Sequence, residues 1–116
     1  MKVEKTNPGI LTITIDKKET LYKAYMPFVE HGGLFIQTKK EYRLGDEVFM
    51  LLSLMDDADK LPVAGKVVWV TPQNAQANRK PGIGIQFSEQ DRGQARARIE
   101  THLAGRLESD EPTHTM

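Results

Sequence analysis

The stretch Ile10-Leu11-Thr12-Ile13-Thr14-Ile15 alternates apolar and polar residues, and it opens a series of short apolar runs, each cut off by turn chemistry. β-Branched residues at a period of two make a strand with one buried face, here Leu11, Ile13 and Ile15, with Thr12 and Thr14 opposite. Asp16-Lys17-Lys18 ends it. "EVFMLLSLM" (47–55) is a near-continuous apolar run, as in a central strand. "LPVAGKVVWV" (61–70) follows, with Gly65 marking a bulge or a close approach, and "GIGIQF" (82–87) is the next. Between them lie polar stretches, DDADK at 56–60 and a loop at 71–81. "ETLYKAYM" (19–26) is ambiguous. Leu21 and Tyr25 are four apart, which suits a helical turn, but a strand stays open. Strands are expected near 10–15, 33–38, 46–55, 62–71 and 82–88.

The period then changes. Ala95, Ile99, Leu103 and Leu107 are spaced by four and form one stripe of a helix. Ser88 and Asp91 give a capping-box-like start, Gly93 weakens the first turn, and Gly105 can end the helix. Five or six strands and one terminal helix point to a small antiparallel barrel or sandwich. Residues 1–9 are polar, end in the turn-forming Asn7-Pro8-Gly9 and read as a flexible N-terminus. Residues 10–105 form the domain, and 106–116 read as a disordered tail.

Composition narrows the function. The 116 residues fit one domain, and Lys+Arg and Asp+Glu balance at 16 each. That balance carries no general signature for nucleic acid or acidic membranes. With no cysteine there are no disulfides or thiolate metal sites, which fits a cytoplasmic location. The N-terminal residues lack the apolar core of a secretion signal, and no apolar run approaches the ~20 residues of a membrane span. The three histidines, His31, His102 and His114, have no metal-ligand spacing. Nucleophile elbows and phosphate-cradling loops are missing, and Asp56-Asp57 reads as a solvated turn. An enzyme is not expected, nor a cofactor or metal.

"PFVEHGGLFIQT" (27–38) looks like a strand with its centre cut out. Taken in order, "EHGGLFIQT", "LGDEVFMLLSL", "LPVAGKVVWVTP" and "GIGIQF" resemble the PilZ domain over roughly residues 10–103. The resemblance implies a six-stranded antiparallel β-barrel with a C-terminal α-helix. The stretch "LYKAYMPFV" is similar to PilZ domains that stand alone and serve type IV pilus assembly, rather than those fused to enzymes. Many PilZ domains bind cyclic di-GMP through R-x-x-x-R before the first strand and [D/N]-x-S-x-x-G ahead of the "GxFI" strand. Here the second motif falls on Phe28 to Gly33. Phe28 replaces Asp or Asn, Glu30 replaces Ser, and Gly33 remains. No arginine precedes Arg43. Phosphates and guanine edges call for guanidinium forks, and a carboxylate at position 30 would repel phosphate. Direct cyclic di-GMP binding is therefore not expected.

The resemblance implies a non-enzymatic adaptor in type IV pilus biogenesis and twitching motility. Its partners would be the assembly ATPase and a cyclic di-GMP receptor with a degenerate EAL domain. The alternative is a direct cyclic di-GMP receptor with divergent ligand residues. Tyr22, Tyr25, Met26 and Phe28 cluster before the glycines and are either core or an exposed aromatic patch. Tyr22, Tyr25, Pro27 and Phe28 are the candidate partner-binding surface. Trp69 is expected in the core. Arg92, Arg96 and Arg98 read as a solvated helix face.

Overall fold

A computed structural model describes residues 2–6, 10–38, 42–55, 57–71 and 81–104. In chain order these form β1 (Lys2–Thr6), β2 (Ile10–Ile15), α1 (Lys18–Ala24), β3 (Gly33–Gln37), β4 (Glu47–Leu54), β5 (Leu61–Thr71), β6 (Gly82–Phe87), a 3₁₀ turn (Glu89–Asp91) and α2 (Gln94–His102). The strands make one six-stranded sheet in the order β1-β2-β4-β5-β6-β3. It curls into a half-barrel around a core built from Ile13, Ile15, Leu34, Ile36, Met50, Leu52, Ile83 and Ile85, with α1 and α2 packed on it.

The sheet is mixed, which corrects the expected all-antiparallel barrel. β2 runs parallel to β4, with Ile10 opposite Phe49 and Ile15 opposite Leu54. The reason lies between them. After β2 the chain builds α1 and then β3 on the far edge, where it pairs antiparallel with β6. The chain returns from that excursion to lie beside β2 in the same direction, as a crossover connection requires. Among the described residues no ladder joins the edges β1 and β3. A crevice of about 230 Å³ between them is lined by Val3, Leu11, Ile36, Tyr42 and Ile83.

The alternation of β2 is realised directly, with Leu11, Ile13 and Ile15 buried and the residues between them partly exposed. α1 resolves the ambiguity of residues 19–26 in favour of a helix, with Glu19 in its first turn and Lys23 in its last. Those charges suit the helix dipole. Residues 2–6, expected to be flexible, instead form β1 and pair with β2 from Lys2 opposite Thr14 to Thr6 opposite Ile10. The expected single helix from Ser88 is split. The Ser88 side chain accepts from the Gln90 backbone N–H and caps only the 3₁₀ turn. Arg92 and Gly93 then both take left-handed backbone, and α2 starts at Gln94. Ala95, Ile99 and Leu103 are fully buried. Leu107, Gly105, the turn at 7–9, most of the 71–81 loop and the 106–116 tail lie outside the described residues.

Strand approach at the glycines is close. A Cβ on Gly33 would sit 2.7 Å from the Ile85 carbonyl oxygen, and one on Gly82 would overlap the Ile36 carbonyl and the Phe35 ring. Gly65 is such a close approach too, since a Cβ there would lie 2.6 Å from the Gln86 carbonyl oxygen, while the bulge in β5 falls between Val67 and Trp69. Backbone cannot swing aside as a side chain can, so Gly33→Ala should destabilise by about 1–3 kcal/mol. A thermal melt measures this, and an unchanged midpoint would mean that β3 and β6 can part without cost.

Candidate functional site

The gap in "PFVEHGGLFIQT" is a tight excursion at the mouth of β3. Its base is closed by the Met26 N–H donating to the Gly33 carbonyl at 2.9 Å and by a bridge pairing Tyr25 with Leu34. Within it, the Gly32 N–H donates to the Val29 carbonyl at 2.8 Å. His31 and Gly32 carry φ values of 68° and 78°. A glycine meets this left-handed requirement without steric cost. The Phe87 N–H donates to the Gly32 carbonyl at 2.9 Å, and Gln86 Nε2 donates to the Glu30 carbonyl at 2.9 Å. The turn is thus pinned to the end of β6.

The four candidate partner-binding residues divide. Tyr22 and Tyr25 are buried, as is Met26, so for these the core reading replaces the exposed patch. α1 is short and carries Tyr22 on its inward face, and the Tyr25–Leu34 bridge draws Tyr25 into the sheet. Pro27 and Phe28 remain on the surface, with Phe28 48% exposed. Trp69 is only half-buried, because the bulge turns it partly outward, and its Nε1 donates to Thr71 Oγ1 at 2.8 Å.

Two polar networks fasten α2 to this region. The Tyr25 hydroxyl donates to Glu100 Oε2 at 2.6 Å, and Arg96 Nε meets the same oxygen at 3.1 Å. Arg96 also reaches the Pro27 carbonyl at 3.5 Å. Burial, and then the bond to Glu100, push the Tyr25 hydroxyl well above its ordinary range. The Tyr25 and Arg96 hydrogen bonds hold the Glu100 carboxyl below its own. At the other end, Asp57 Oδ2 lies 3.0 Å from His102 Nε2 and 3.2 Å from Arg98. Hydrogen bonds from His102 and then Arg98 lower the Asp57 carboxyl. Arg96 and Arg98 are therefore structural partners rather than a free cationic face.

Beside the turn opens a cleft of about 740 Å³ between β4, β5, the end of β6 and the 3₁₀ turn. Its lining includes Glu30, His31, Glu47, Phe49, Lys66 and Glu89. Glu30, Glu47 and Glu89 are exposed, and Phe49 is 43% exposed. Phe49, Glu47 and Glu89 were not singled out in the sequence, since segments far apart in the chain bring them together. Of the degenerate motif, Glu30 borders the cleft, Phe28 stands outside its lining and Gly33 lies in the β3–β6 ladder.

Among the described residues no three His, Cys, Asp or Glu side chains are grouped to hold a metal ion. No helix there is long and apolar enough to cross a membrane. The curled sheet thus carries an open cleft on its surface beside the motif turn. A family model for the PilZ domain matches residues 9–105, and the chain belongs to that family. PilZ domains are typically non-enzymatic binding modules linked to cyclic di-GMP signalling. No curated protein matches the chain.

Both networks titrate in the same sense. Glu100 and Asp57 are held below ordinary carboxylate values, so their stabilisation is complete above that range and is lost as pH falls through their lowered values. Tyr25→Phe keeps the ring and removes one hydrogen bond to a charged group. At pH 7 it should cost about 1 kcal/mol, toward the low end because Glu100 keeps contact with water. Asp57→Asn should lower Tm at pH 7, with the gap to the native protein closing below the carboxylate range. Melts from pH 7 to pH 2.5 follow both, and a gap that widens on acidification would overturn the assignment.

Proposed function

We propose that this chain is a non-enzymatic adaptor of type IV pilus biogenesis and twitching motility that engages protein partners and does not itself bind cyclic di-GMP. The observation carrying the nucleotide half is the cleft beside the motif turn. Among the described residues its lining offers three carboxylates, one lysine and no guanidinium, where the two phosphodiester anions of cyclic di-GMP would need forks. Replacing Ser by Glu30 and Asp or Asn by Phe28 removes polar ligand groups from the turn and adds a negative charge. Two lost charge-assisted contacts at ~1.5–3 kcal/mol each weaken binding by several powers of ten.

The pilus half rests on the resemblance of "LYKAYMPFV" to stand-alone members of the family. Its partners would be the assembly ATPase and a degenerate EAL-domain receptor, through which the adaptor would respond to the nucleotide. Within that stretch Pro27 and Phe28 supply the exposed apolar contact, on a turn held to α2 by Arg96. Tyr22 and Tyr25 support that surface from below.

Calorimetric titration with cyclic di-GMP should give no heat at micromolar concentrations. Phe28→Asp with Glu30→Ser should not restore binding, because the arginines remain absent. Micromolar binding by the native protein would establish the direct-receptor alternative. Phe28→Ala should leave the melt within about 0.5 kcal/mol and weaken capture of the ATPase or EAL-domain protein about thirtyfold. Tyr22→Ala, by contrast, should destabilise by roughly 3–5 kcal/mol as a large buried side chain is truncated. Capture unaffected by Phe28→Ala would remove the turn from the docking surface.

A further inference from the structure

A strand with one face on a core carries polar residues on the other. β4 departs from this. Its outward positions are Glu47, Phe49, Leu51 and Ser53, since the residues between them are buried. Phe49 stands 43% exposed. Across the ladders it lies opposite Ile10 on β2 and Ala64 on β5, and Leu51 lies opposite Pro62. An apolar strip thus crosses β2, β4 and β5 on the outside of the half-barrel. These strands already have sheet neighbours on both sides, so a partner would meet side chains there rather than add a strand.

The strip runs into the 740 Å³ cleft at Phe49. The rim is acidic on three sides: Glu30 from the motif turn, Glu47 from β4 and Glu89 from the 3₁₀ turn. Among the described residues Lys66 is the one lysine or arginine in the lining, against the three carboxylates of Glu30, Glu47 and Glu89. Among the described residues, neither Glu47 nor Glu89 is neutralised by an ion pair. Among the described residues the Glu30 carboxylate has only His31 as an ion-pair partner, at 3.7 Å.

We infer that this cleft docks a basic, amphipathic segment of a protein partner, which lays an apolar side chain on Phe49 and directs lysine or arginine at Glu30, Glu47 and Glu89. Charge complementarity selects that occupant. A nucleic acid or an acidic peptide meets like charge. A second copy of this chain meeting it face to face would set carboxylates against carboxylates. A solvent-facing aromatic ringed by opposite charge matches the plan of an interface, with an apolar centre and a polar rim that sets orientation and encounter rate. The inference rests on the protein-binding reading of the chain, and it does not depend on the pilus assignment.

The test is a titration of the ¹⁵N-labelled full chain, followed by NMR, with three acetylated, amidated hexapeptides. One alternates arginine with leucine, one glutamate with leucine, and one arginine with glycine. The arginine–leucine peptide should shift the amides of Phe49, Ala64, Lys66 and Gln86, and each control should bind at least tenfold more weakly. Glu47→Lys and Glu89→Lys should each weaken the arginine–leucine peptide about tenfold, while Lys66→Glu tightens it severalfold. Phe49→Ser should abolish the difference between the two arginine peptides. Melts of each variant show that it is folded. Equal binding by the arginine–leucine and arginine–glycine peptides would overturn the inference. So would affinity indifferent to the charge reversals, or shifts mapping to another face. A parallel cyclic di-GMP titration separates the two readings. Nucleotide binding would overturn the proposed function, whereas silent peptides with no nucleotide binding would overturn the docking cleft alone.

Discussion

The hydrogen bond from the Tyr25 hydroxyl to the Glu100 carboxylate, 2.6 Å long, joins parts of the chain 75 residues apart. Tyr25 follows α1, bridges to Leu34 at the start of β3 and lies 1% exposed in the core. Glu100 sits on α2. One side chain therefore meets a helix, a strand mouth and the terminal helix at once. A buried hydroxyl without a partner costs free energy, so the ring can occupy the core only if α2 presents its carboxylate. Arg96 then satisfies that carboxylate and extends to the Pro27 carbonyl. The position of the exposed turn is inherited from this chain of contacts.

The same turn separates two kinds of surface. On one side stand Pro27 and Phe28, small in area and apolar. On the other, Glu30 and His31 border a wide acidic cleft. Positive φ at His31 and Gly32 makes the separation abrupt, because the chain reverses within two residues. Gly33 then enters a ladder so close that the neighbouring backbone excludes a side chain. Turn geometry calls for the glycine at 32, and strand contact for the one at 33.

How much of this could be read from the sequence depends on how local the cause is. The strands at 10–15, 33–37, 47–54, 61–71 and 82–87 follow from short-range alternation and turn residues, and the expected ends fall within one residue. A glycine inside a strand pattern signals close approach, and Gly65, Gly33 and Gly82 are each such a position. β1 was not, because Lys-Val-Glu-Lys-Thr has one apolar residue and is a strand only by virtue of its partner. The burial of Tyr22 and Tyr25 depends on which face α1 turns inward, which tertiary packing decides. Phe49 was hidden for a different reason. A continuous apolar run reads as burial on both faces, yet the half-barrel covers only one. The cleft was invisible because Glu30, Glu47 and Glu89 meet only once β4, β6 and the motif turn are in place.

The excursion through α1 and β3 also dictates an order of assembly. β3 has its ladder partner in β6, with Gly33 opposite Gln86, so the pairing spans most of the domain. During synthesis from the N-terminus, Leu34, Phe35 and Ile36 emerge long before the segment that will cover them. Such non-local pairing slows folding, because the loop must close before any contact rewards it. An apolar strand waiting without its neighbour is also a segment that aggregates. The nascent chain is therefore most vulnerable between the appearance of Ile36 and that of Phe87, and a chaperone that shields extended apolar segments would act in that interval.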